Sequence, residues 1–149
     1  MQDKELLEKL SEHPDLRERM EEILNIAENT DGTLETADEA EERAIEVVRR
    51  LGKEVLLEWS ITRSHELNAA YEKRRDVERD GKKKLYWHSS FGTLEVQEQC
   101  FKEQSQGQRL RPFRDAAKVQ CRGYSKRLER IMVDFGADDS FQKAAEKGV

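Results

Sequence analysis

Long apolar runs are missing from this sequence: no stretch of 18 or more apolar residues occurs, which argues against a transmembrane helix. The opening residues "MQDKELLEKLSEH" have neither the basic start nor the apolar stretch of a secretion signal, so the expected location is cytoplasmic. Cysteine is scarce. Cys100 and Cys121 are the two present, which suits a reducing compartment and cannot build a disulfide framework. Glycine-rich phosphate loops are absent, and no serine or cysteine nucleophile has an adjacent base motif. Zinc would need four ligands, whereas His88, Cys100 and Cys121 supply three, with 11 and 20 residues between them. His65 beside Glu66 has no partner motif, and Asp134, Asp138 and Asp139 are expected at a helix end and a turn, where capping accounts for them. The sequence therefore calls for no active site, metal, cofactor or small-molecule substrate.

Charge is abundant instead. Asp, Glu, Lys and Arg make up 40% of the 149 residues, against roughly 25% in ordinary soluble domains. The chain is long enough for one compact domain, or a small domain with an extended appendage. Its net charge of −5 hides an asymmetry: residues 1–80 carry 13 Lys/Arg against 23 Asp/Glu, and residues 81–149 carry 14 against 9. A basic half of this kind is suited to meeting a polyanion, although a solvated charged surface is the competing explanation.

Two proline positions and a few glycines punctuate the chain. Pro14 is placed at a first helical position, with Leu16, Met20, Ile23, Leu24 and Ala27 following at helical spacing. "NTDGT" at 29–33 breaks that helix. Thr36 with Glu39 is a capping-box signature opening a proline-free helix of about 40 residues, which would span about 60 Å. On it Ala44, Val48, Leu51, Val55 and Trp59 form a stripe close to a heptad seam. Two readings remain open: the long helix folds back on the first as a hairpin, with a break near Gly52, or the stripe pairs with a second copy of the chain.

Past Gly81 the period changes to two. "KKKLYWHSSFGTLEVQEQCF" reads as a β-hairpin, with Leu85 and Trp87 on one face of the first strand and Leu94, Val96 and Cys100 on one face of the second. Trp87 and Phe101 are read as packing residues, because a lone hairpin must bury its apolar face. After a polar loop comes a short helix to about Gln120, then one from Ser125 with Leu128, Ile131, Met132 and Phe135 inward. A turn at "GADD" and a further helix from about Ser140, with Phe141, Ala144 and Ala145 inward, complete the outline of a helix-turn-helix that is incomplete at Val149. The fold class is thus mostly α, α+β: an acidic helical part over 1–80 and a basic hairpin-plus-helix part over 81–149. The candidate DNA-contacting set is Lys82, Lys83, Lys84, Arg109, Arg111, Arg114, Lys118, Arg122, Lys126, Arg127 and Arg130.

"ENTDGTLETADEAEERAIEVVRRLG", "GKKKLYWHSSFGTLEVQEQCF" and above all "LRPFRDAAKVQCRGYSKRLERIMVDFGADDSFQKAAEK" resemble the N-terminal region of a bacterial insertion-sequence transposase family, the Kra-type group. The resemblance covers nearly the whole chain. It implies that relatives continue into an RNase H-like domain whose Asp and Glu residues bind divalent metal for DNA cleavage and strand transfer. This sequence ends before the matching positions. It is expected to be a shortened, non-catalytic relative, by frameshift, early stop or deliberate shortening, associated with DNA and forming a homodimer through Val48, Leu51, Val55 and Trp59. The alternative is a protein-interaction module working through its long helix without nucleic acid, while an independent metal-dependent nuclease lacks a ligand cluster.

Overall fold

The computed structural model describes the backbone of residues 1–119 and 123–147, and side chains through residue 136 within those ranges. Cys121, Arg122, Gly148 and Val149 therefore lie outside the described residues, as do the side chains of Asp138, Asp139, Phe141, Ala144 and Ala145. The architecture is mixed α and β, mostly helical, with one long helix, a small antiparallel sheet and C-terminal helices. Packing divides it into two compact units, Met1–Trp59 and Ser60–Val149. That division falls inside the long helix, whereas the charge changes sign near residue 80.

The first unit holds α1 (Asp3–Glu12), α2 (Pro14–Glu28) and the first part of α3 (Ala37–Glu72). Sequence reading did not place α1, which buries no residue and has no side-chain cap. Pro14 opens α2 as expected, where its missing N–H is no loss. Asn29 ends the helix in the left-handed conformation, its N–H donating to the carbonyls of Asn25 and Ile26. The capping box at α3 is shifted by one residue in its second half: the Thr36 hydroxyl accepts from the Glu39 N–H at 3.2 Å, and the Glu39 carboxylate accepts from the N–H of Glu35 at 3.2 Å.

Within this unit α2 and α3 form the antiparallel hairpin, one of the two readings left open. His13 Nδ1 lies 3.2 Å from Glu58, Arg19 Nε donates to Glu54 at 3.0 Å, and Arg50 approaches Glu22 at 4.0 Å, so ascending positions on one helix meet descending positions on the other. The inward residues of α2 are Leu16, Arg19, Ile23 and Ile26, while Met20, Leu24 and Ala27 are exposed. The stripe assigned from spacing is thus rotated: Arg19 takes an inward place because carboxylates of its own helix, Glu18 and Glu22, and Glu54 of α3 pair with it. No break occurs at Gly52, since α3 runs unbroken through it.

The second unit begins on α3, where Ser60 and Ser64 are buried and Leu67 and Tyr71 half-buried. This spacing of three and four defines one face. The helix ends at Glu72, a little short of the length read from the sequence, and strand β1 (Val77–Ser89) opens four residues before Gly81, where the change of period was read. β1 pairs antiparallel with β2 (Gly92–Glu103) through a tight turn at Ser90 and Phe91, and β2 pairs with the short β3 (Arg109–Leu110). The register shifts between Arg79 and Lys82, where Gly81 takes φ +75°. Glycine suits that position because a Cβ is strained at positive φ.

The inner face of the sheet carries Leu85, Leu94, Val96 and Cys100, as the alternation predicted. Leu67 from α3 and Ala117 and Val119 pack against Leu85, Val96 and Phe113, and the ring of Tyr71 meets that of Phe101 at 5.3 Å. Phe113 lies in α4 (Pro112–Ala117), one of the C-terminal helices. The other is α5 (Lys126–Lys147), capped by the Ser125 hydroxyl, which accepts from the Leu128 N–H at 3.1 Å. Two expectations fail here. The turn at "GADD" does not form: α5 is continuous through Gly136, because one glycine costs a helix only about 1 kcal/mol relative to alanine. Asp134, Asp138 and Asp139 consequently lie within a helix. Ile131, Met132 and Phe135, assigned to the interior, are exposed, and Leu128 is half-buried.

Candidate nucleic-acid interface

The basic residues divide into those the fold consumes and those it leaves to solvent. Arg111 is consumed. Its guanidinium donates to the Glu98 carboxylate, whose side chain is fully buried on the inner face of β2. The same carboxylate accepts from the backbone N–H of Arg114 at 3.1 Å. Arg114 is the third residue of α4, so Glu98 satisfies an orphan donor of that helix from a distant strand. Arg114 also pairs with Asp115 at 3.2 Å, Arg109 with Asp80 at 3.4 Å, and Lys84 with Glu95 at 3.4 Å.

Lys82, Lys83, Lys126, Arg127 and Arg130 are exposed and have no ion-pair partner among the described residues. Lys126 and Arg130 stand four apart on one face of α5, as the sequence indicated. The chain reaches α5 along the end of β1. His88 and Tyr124 form a bridge, the Ser125 N–H donates to the His88 carbonyl at 2.9 Å, and the two rings meet edge-on at 5.5 Å. The structure therefore brings Lys126 and Arg127 next to the hairpin in sequence and in hydrogen bonding. Lys118 is exposed beyond α4 in the left-handed conformation. Arg122 lies outside the described residues.

Strand alternation sets the outer face of the hairpin. Lys82, Lys84, Tyr86 and His88 stand there opposite Gln99, Gln97, Glu95 and Thr93, with His88 Nδ1 2.9 Å from the Thr93 hydroxyl. Tyr86 was not singled out in the sequence. The signal was its parity: it falls between Leu85 and Trp87, both inward. His88 and Cys100, two of the three weighed zinc ligands, lie on opposite faces of the sheet, and no cluster of three His, Cys, Asp or Glu suited to a metal occurs among the described residues.

The stripe assigned to self-association from its spacing lies on α3 in the first unit. Val48, Val55 and Trp59 are exposed there with Ile45, whereas Leu51 and Ala44 are half-buried and Val47 is buried. A cleft of about 220 Å³ in this unit is lined by Glu22, Asp31, Arg43, Glu46 and Arg50, whose opposite charges offset one another. None of the helices is long and apolar enough to cross a membrane among the described residues. No family model, curated protein or solved structure matches the chain.

Proposed function

We propose that the chain is a non-catalytic, DNA-associated and self-associating fragment of an insertion-sequence transposase. The transposase part rests on the resemblance of the "LRPF" to "DFGADDSF" tract. DNA association is carried by one observation: the exposed cations Lys82, Lys83, Lys126, Arg127 and Arg130 have no ion-pair partner among the described residues. Phosphates neutralised by such side chains release condensed counterions, so affinity falls steeply with salt. With up to five contacts the slope of log K against log salt would reach about −4.5. These contacts carry no base information, so the binding is indifferent to duplex sequence.

The test is fluorescence anisotropy with a labelled duplex at about 50 and 200 mM salt, the range over which phosphate contacts weaken. Changing Lys126, Arg127 and Arg130 together to Ala is expected to lower affinity at least about tenfold and flatten the salt slope. A folded triple variant that binds like the parent would remove the reading. A second reading, a protein-interaction module, is favoured by the exposed Ile45, Val48, Val55 and Trp59 on α3, and it moves ahead on that result.

A further inference from the structure

We propose that the outer face of the β1–β2 hairpin is a stacking platform for single-stranded DNA, with Tyr86, His88 and Tyr124 as its rings. The inference rests on the DNA reading above and specifies the form of DNA that the face accepts.

Tyr86 is 48% exposed and Tyr124 44% exposed. Neither ring is spent on the core, which the inward parity of Leu85 and Trp87 supplies. Two residues along a strand separate Tyr86 from His88 by about 7 Å, and the His88 and Tyr124 rings are 5.5 Å apart. Tyr86 and His88 thus follow one another on one face of the hairpin, and the bridge to the chain before α5 brings Tyr124 against His88. His88 is held there by Thr93 at 2.9 Å, and the chain at Tyr124 is held by the hydrogen bond from the Ser125 N–H to the His88 carbonyl.

Charge complements the rings. Lys82 lies on the same outer face four residues before Tyr86, and Lys126 and Arg127 follow Tyr124 by two and three residues. Glu95, the carboxylate opposite Tyr86 on this face, is paired with Lys84 at 3.4 Å. Cations flanking aromatic rings fit a phosphate chain whose bases turn inward onto the rings. The strand spacing of Tyr86 and His88 is about twice the 3.4 Å rise of stacked duplex bases, so bases engaging those two rings must separate from one another. A duplex keeps its base faces inside its own stack, while a single strand can offer them.

The experiment compares labelled single-stranded deoxythymidine of about 12 nucleotides, within the usual footprint of such platforms, with a duplex of the same length at the same salt. The full chain is expected to bind the single strand more tightly. The double variant Tyr86→Ala, Tyr124→Ala is expected to lose at least about tenfold in single-strand affinity while its duplex affinity stays within about twofold. The corresponding change to Phe keeps both, since stacking does not use the hydroxyl. If the double variant unfolds by circular dichroism, Tyr86→Ala alone is the test, because that side chain stands on the open face. A folded Ala variant that binds the single strand like the parent overturns the platform and leaves the phosphate reading standing. A parent chain that binds neither form overturns both.

Discussion

Glu98 and Arg111 form an ion pair across the second unit that is withdrawn from water: the carboxylate is fully buried and the guanidinium side chain is 11% exposed. Arg111 was assigned to DNA, and its position explains why it serves elsewhere. It precedes Pro112, which opens α4, and Phe113, which fills the core between Leu85 and Val96. The "RPF" tract is a fastening in which one residue binds a buried carboxylate, the next starts a helix and the third plugs the core.

Removing one partner of a buried pair strands the other charge. Glu98→Ala is therefore expected to destabilise the second unit by about 3–5 kcal/mol. Replacing both Glu98 and Arg111 by Met should recover much of the loss, because the stranded charge is gone. Urea denaturation followed by tryptophan fluorescence checks both; a Glu98→Ala midpoint equal to that of the parent would sink the account.

Self-association through α3 is expected to place the chain at twice its monomer mass by light scattering at micromolar concentration. Val48→Lys with Val55→Lys should return it to the monomer mass without altering helix content, since both side chains are exposed. Leu51 is left unchanged because it is half-buried. A monomeric parent removes the dimer.

Acid should loosen two local structures. The N–H and hydroxyl of Thr33 donate to the Asp31 carboxylate at 3.2 and 2.9 Å, and the Arg74 guanidinium holds Asp76 at 2.7 and 3.0 Å; both carboxyls are held below their ordinary value. A carboxyl depressed in the folded state stabilises above its unfolded pKa, and that stability is lost as pH falls through the depressed value. The double variant Asp31→Ala, Asp76→Ala should thus show a shallower fall of the urea midpoint below about pH 4 than the parent. Parallel curves would contradict this.

Magnesium or manganese is expected to elicit no DNA cleavage or strand joining. Carboxylates of the second unit are engaged by cations, among them Glu98 by Arg111, Glu95 by Lys84, Asp80 by Arg109, Asp115 by Arg114 and Asp76 by Arg74. Metal-dependent nicking that survives repurification and disappears with one carboxylate substitution would refute it.

Local signals carried most of the fold. Pro14, the Thr36 cap and the start of a helix at Ser125 are each written within a few residues and appear where they were read, while the change to period two, read past Gly81, begins four residues earlier at Val77. Signals that depend on distant partners did not show. Nothing near Arg111 announces Glu98, 13 residues earlier, and nothing near Arg19 announces Glu54. The interior assigned to Ile131, Met132 and Phe135 assumed a second helix folded back on them, and that helix exists only as the continuation of α5. Of the candidate interface, the cations were legible as a set, but which of them remain free depended on pairings across the sheet.

The lysine run has another consequence. β1 is the outermost strand of its sheet, and apart from the His88–Tyr124 bridge no strand pairs along its far side among the described residues. Such an edge presents backbone donors and acceptors that a passing strand from another molecule can pair with, the first step toward fibrils. Lys82, Lys83 and Lys84 place repelling charges along that edge, and the bulge at Gly81 twists it away from a flat template. Lys82 and Lys83, two of the cations proposed above to meet phosphate, thus also keep such strand edges from pairing, so stripping the run is expected to leave a protein more prone to aggregate.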